Sequence, residues 1–108
     1  MPPNKGVRSQ HFLMEIEQAI QVANREILSN RIPSITVENI MPLAISVARL
    51  RANYLAKAFS LASDDNGESL SEDAIKSLKH HREMYEEARQ AFEALTHIID
   101  RGYVALGD

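Results

Sequence analysis

Histidines and carboxylates fall at helical spacings in three places along the chain. His80, Glu83 and Glu87 lie at i, i+3 and i+7, Glu93 and His97 at i and i+4, and His11 and Glu15 repeat that last relation. Residues three and four apart share a helix face, so each group could offer imidazole nitrogen and carboxylate oxygen to one metal ion. Di-iron bundles of the ferritin type need Glu-x-x-His on two helices, and this sequence has no Glu-x-x-His. The expected role of these pairs is therefore the ordinary one on a solvated face, where an i,i+4 pair contributes about 0.2–0.5 kcal/mol to a helix. A metal- or small-molecule-binding bundle using His80, His81 and Glu83 is an alternative. The leading expectation has no cofactor and no metal.

Asp64-Asp65-Asn66-Gly67 has the composition of a calcium loop. With Gly67 in the glycine position of such a loop, its first and twelfth positions are Ala62 and Asp73, so the first ligand and the bidentate glutamate are missing. The chain has no cysteine, which excludes disulfides, thiolate nucleophiles and sulfur-based zinc sites. Nothing matches a phosphate-binding glycine loop, a nucleophile elbow or a metalloprotease helix. The sequence points away from an enzyme.

Two polar residues are placed where apolar ones are expected. Arg51 falls between two apolar stripes of its helix; a guanidinium buried there must be paired, because an unpaired buried charge costs several kcal/mol. Glu15 or Glu17 is the expected partner. His81 falls on an apolar seam, where one polar residue can fix register; the expectation is a histidine at the edge of the core, hydrogen-bonded to a neighbour or to a backbone carbonyl. Charge is uneven as well. Residues 36–62 hold Arg49, Arg51 and Lys57 against Glu38, a net +2, and residues 9–29 hold Glu15, Glu17 and Glu26 against Arg25, a net −2. Complementary helices explain this without a ligand. A nucleic-acid face built from Arg49, Lys57, Lys76, Lys79 and Arg82 is an alternative that we do not favour: Glu83, Glu86 and Glu87 interrupt it, and the whole chain carries −3.

The elements that must position these residues are helices. Ser9 can cap the first helix, after which Leu13, Ile16, Ile20, Ala23 and Ile27 follow at spacings of three and four. Asn30 and Pro33 end it, giving a helix over about 10–29. Thr36 is a good cap for a second helix over about 37–62, bent at Pro42, which removes one hydrogen bond. Residues 63–68 form a turn, and Ser69 with Glu72 has capping-box spacing. Ala74, Leu78, His81, Tyr85, Ala88, Phe92, Leu95 and Ile99 then alternate spacings of four and three, a heptad seam over a third helix of about 70–101. Gly102 should stop that helix, with Tyr103 folding back on Ile98 in a Schellman motif. Antiparallel packing would place Ile27, Ala23, Ile20, Ile16 and Leu13 inside, against Ile40, Leu43, Val47, Leu50 and Tyr54 of the second helix. The same layers continue into Phe92, Ala88, Tyr85, His81 and Leu78 of the third.

The expected fold is thus an all-α antiparallel bundle of three long helices, with a flexible leader over 1–8, one domain over 9–103 and a tail over 104–108. A hydrophobic fraction of 44% and a charged fraction of 25% suit one globular domain. The leader lacks the apolar run of a signal peptide, and Arg49, Arg51 and Lys57 break the longest apolar stretch below membrane-spanning length. A cytoplasmic setting with no membrane contact is expected. The second helix carries more apolar surface than such a bundle can cover. Leu43, Val47, Leu50, Tyr54 and Leu61 suffice for the other two helices, leaving Met41, Ala44, Ala48, Ala52, Leu55 and Phe59 as a second face. That face predicts a homodimer, since large apolar patches are rare on monomers. The function expected is a non-enzymatic helical protein–protein interaction module (an adaptor, regulator or assembly factor) acting as a homo-oligomer. Glu86, Glu87, Gln90 and Glu93 would be left for an unidentified protein partner. The apolar tail Tyr103-Val104-Ala105-Leu106 is free to dock on the bundle or on another protein.

Overall fold

A computed structural model describes residues 5–65 and 69–107. The chain is all-α: three helices, α1 (Lys5–Arg31), α2 (Val37–Asp65) and α3 (Glu72–Asp100), follow one another. Among the described residues the only β-type pairing is an isolated parallel bridge between Ile35 and Leu106.

The helix ends show which local signals prevail. α1 begins at Lys5, not after Ser9: nothing from Lys5 onward blocks helical bonding, and Gly6 lowers helix propensity by only about 1 kcal/mol. It passes Asn30 and ends at Arg31, where Pro33 restricts Ile32 and removes a donor. The Ile32 amide still reaches the Leu28 carbonyl at 2.7 Å. α2 starts directly after Thr36, as expected, and continues through Pro42 to Asp65. The expected turn over 63–68 is thus helical through Asp65, and the rest of it lies outside the described residues. α3 is capped by Ser71 rather than Ser69, the Ala74 amide donating to Ser71 Oγ at 3.1 Å. That choice brings both Glu72 and Asp73 into the first turn, where the positive end of the helix dipole favours carboxylates; a cap at Ser69 would have put Leu70, Ser71 and Glu72 there and left Asp73 outside it.

Contacts divide the chain into two compact units, one of α1 with its following loop and the segment from Ile98 onward, the other running from Val37 to His97. In the first unit Gly102 ends α3 with φ +71°. Its amide donates to the Ile99 carbonyl at 3.0 Å and that of Tyr103 to the Ile98 carbonyl at 2.9 Å, which is the expected Schellman motif. The chain then turns onto the 32–36 loop: Ile35 N–H donates to the Ala105 carbonyl at 2.9 Å and Gly107 N–H to the Ile35 carbonyl at 2.8 Å. Among the described residues Ile35 and Val104, exposed by 7% and 8%, are the buried apolar ones. Arg25 Nε closes the clamp by donating to the Gly102 carbonyl at 2.9 Å. The tail therefore docks on this chain's own loop.

α1 meets this segment with an unexpected face. Glu17, Gln21, Arg25, Glu26 and Ser29 line hollows with residues 100–105, and Asn24 and Leu28 are its half-buried positions. The stripe expected inside lies on the other side: Leu13, Ile16, Ile20 and Ile27 are 42–58% exposed, and Ala23 is exposed too.

Gly102→Ala should destabilise the protein by about 1–2 kcal/mol, the cost of a left-handed conformation for an L-residue. The added methyl itself would have room, the nearest side-chain atom being Arg25 Nη2 at 3.6 Å. Urea denaturation measures this. Gly107→Ala acts differently: its Cβ would lie 2.7 Å from Thr36 Cγ2. Faster exchange of the Ile35 amide without loss of the helical signal is the expected result.

Candidate interaction surfaces

α2 and α3 pair along their expected inner faces. All eight residues of the α3 seam, from Ala74 to Ile99, are half-buried, and so are Leu43, Val47, Leu50, Tyr54 and Leu61 on α2. Tyr54 shares a hollow with Leu78 and Arg82, and Leu50 shares one with Met84 and Ala88, so later residues of α2 face earlier residues of α3 and the helices run antiparallel. Tyr54 also stacks on Tyr85, ring centroids 6.4 Å apart and planes 20° from parallel. The expected layers matched Tyr85 with Val47 and Leu50 with His81, so the pairing is displaced by up to about a turn.

The other face of α2 is uncovered. Met41, Ala48, Ala52, Leu55 and Phe59 are exposed, Phe59 by 76%, whereas Ala44 turns halfway inward. Ile45 takes its place on the exposed face. Met41, Ile45, Ala48, Ala52, Leu55 and Phe59 thus step four, three, four, three and four, a second heptad seam about 150° round the helix from the first. Counting the alternation strictly from Met41 would have found Ile45.

The polar residues singled out by spacing take local partners or none. His81 is half-buried, and its Nδ1 lies 2.8 Å from the Ser77 carbonyl. A carbonyl only accepts, so Nδ1 carries the proton and Nε2 is left for other bonds. Its ring meets that of His80 edge-on at 5.9 Å. His80, Glu83 and Glu87 border one shallow hollow with Leu50 and Met84, yet no three histidine or acidic side chains among the described residues converge as a metal set. Arg51 is exposed and forms no ion pair among the described residues. The burial that would have demanded Glu15 or Glu17 does not arise.

Arg89, whose role the spacing did not single out, organises the acidic end of α3. Its Nη2 donates to Glu86 Oε2 at 2.5 Å and its Nη1 to Glu93 Oε1 at 2.6 Å. The hydrogen bond and charge of Glu86, and then those of Glu93, hold the guanidinium above its usual range against a small opposing effect of burial. Glutamates three residues before and four after an arginine are the legible signal. Of the four residues expected to await a partner, Glu86 and Glu93 are thereby paired with Arg89, while Glu87 and Gln90 are exposed. Among the cations, Lys79 pairs with Glu83 at 3.6 Å, Lys57 is half-buried, and Arg49, Lys76 and Arg82 are exposed.

No helix among the described residues is long and apolar enough to cross a membrane. No family model, curated protein or solved structure matches the chain.

Two measurements test this geometry. A double-mutant cycle on Tyr54→Leu and Tyr85→Leu should return a coupling of about 0.5–1.5 kcal/mol, the range for stacked aromatic pairs; a coupling near zero would remove the stack from the hairpin's energetics. Arg89→Gln should unmask Glu86 and Glu93, read as stronger retention on an anion exchanger than that of Lys76→Gln, which makes the same change in net charge.

Proposed function

We propose that this chain is a non-enzymatic helical interaction module that works as a homodimer, an adaptor, regulator or assembly factor in the cytoplasm. The observation that carries the reading is the exposed seam of α2 from Met41 to Phe59. One apolar face of a helix is enough to hold it to a single neighbour, and α3 already supplies that neighbour for the face of Leu43, Val47, Leu50 and Tyr54. A second face on the same period is surface built to be covered. Burying a Leu, Phe or Met side chain contributes about 1.5–3 kcal/mol, so the large residues of this seam suffice to drive association even after its entropic cost. A twofold dimer is the commonest closed arrangement for such a face.

The polar surface supports the same reading. Of the cations that might have met nucleic acid, Lys79 pairs with Glu83 and Lys57 is half-buried. Glu87 and Gln90 remain for a further protein partner.

Sedimentation equilibrium at 1–50 μM should find a dimer (concentrations of about the order a micromolar association requires). Leu55→Glu with Phe59→Glu should yield a monomer with unchanged helical circular dichroism. A wild-type chain that stays monomeric throughout the range would end this reading.

A further inference from the structure

We propose that the α2–α3 hairpin binds a small aromatic carboxylate in the hollow between Tyr54 and Arg82. The hollow measures about 310 Å³ and is lined by Tyr54 of α2 and by Ile75, Leu78, Lys79 and Arg82 of α3. All five belong to the unit that runs from Val37 to His97, so the site does not depend on the dimer proposed above. A cavity of about 150 Å³ takes one benzene ring, and this one has room for two fused rings. Its floor is apolar: Leu78 is half-buried, and Ile75 is left 53% exposed. Tyr54, held near-parallel to Tyr85 with ring centroids 6.4 Å apart, adds an aromatic wall of fixed orientation. A flat ring gains from that wall and from the cations beside it, which an aliphatic chain does not.

The charges that line this hollow are all of one sign. Lys79 and Arg82 stand three residues apart on one face of α3, and no carboxylate is among the described residues around them. Like charges so placed destabilise a helix unless an anion lies with them. The carboxylates nearest along α3 leave the pair undersatisfied. Glu86, four residues on from Arg82, is bonded to Arg89 instead, and Glu83 meets Lys79 only at 3.6 Å, beyond hydrogen-bond length. Arg82 is exposed and has no ion-pair partner among the described residues. Arg51, three residues from Tyr54, and Lys76, three from Lys79, are exposed and form no such pair either; they widen the positive field. A second hollow of the hairpin, at Leu50 and Met84, is bordered by Glu83 and Glu87 and would repel the same ligand. A carboxylate accepts two parallel N–H bonds from a guanidinium. Arg82 thus grips the anion, Lys79 adds a further donor, and the rings lie on Ile75 and Leu78 against Tyr54.

Naphthoate is the probe. Titrated into the isotopically labelled full chain at low salt, it should shift the Ile75 and Leu78 methyl resonances with a Kd of about a millimolar or below. Raising the salt should weaken binding severalfold. Arg82→Gln should weaken it about tenfold, the loss of one charge-assisted hydrogen bond. Arg49→Gln removes the same charge beside the α2 seam and should leave binding unchanged; an equal loss in both variants would overturn the proposal, since the anion would then answer net charge alone. No shift by about 10 mM naphthoate would overturn it as well, and so would shifts at Leu55 and Phe59 instead, which would place the rings on the α2 seam. Naphthalenemethanol carries the same rings without the charge, and binding as tight as that of naphthoate would remove the role of the cations. Decanoate binding as tightly would overturn the aromatic assignment.

Discussion

A helix can turn one face toward a single neighbour, and α2 has two apolar faces. That constraint governs the rest of this protein. The inner face, from Leu43 to Leu61, meets the seam of α3, whose eight positions are all half-buried. The outer face, from Met41 to Phe59, is left to water. α1 repeats the situation from the other side, because the clamp at Gly102 and Ile35 engages the face that carries Arg25 and Ser29 and not the one that carries Ile16 and Ile20. Two helices in one chain thus hold apolar stripes of matching period in solvent.

Charges play a smaller part in the hairpin. Lys79 pairs with Glu83, and Arg89 with Glu86 and Glu93, each within one turn of α3. His81 likewise spends its Nδ1 proton on the carbonyl four residues before it. Such bonds steady the helix that carries them and say little about its neighbours. What joins α2 to α3 is apolar contact together with the stack of Tyr54 on Tyr85. This is also why Arg51 needs no carboxylate: it lies between two faces of which only one is covered.

Periodicity made much of this legible. The α3 seam, the inner face of α2 and the stop at Gly102 follow from spacing and from the conformational freedom of one glycine. The misses have separate physical causes. Ser69 and Ser71 both have the side chain for a cap, and the cap at Ser71 adds Asp73 to Glu72 in the first turn. Ser9 looked like a start because it precedes the apolar stripe, but a helix continues backward until something stops it. The stripe of α1 was legible as a stripe and not as an exposed one, since a pattern records which residues share a face and not what faces them. Ile45 was overlooked because Ala44 fitted a rough projection nearly as well. Arg89 was overlooked because the carboxylates around it were read as a patch rather than as ligands of the cation among them.

The pairing of Ile35 with Leu106 joins residues 71 positions apart in the chain. In a protein made from its N-terminus onward, α1 and the loop after it exist long before residues 102–107 do. The α2–α3 hairpin, whose contacts are closer in sequence, can close while that loop still waits for its partner strand. Contacts between distant parts of a chain are the slow ones to form, so the clamp is the last joint of the monomer to set. Until it does, the face of α1 that carries Arg25 is uncovered.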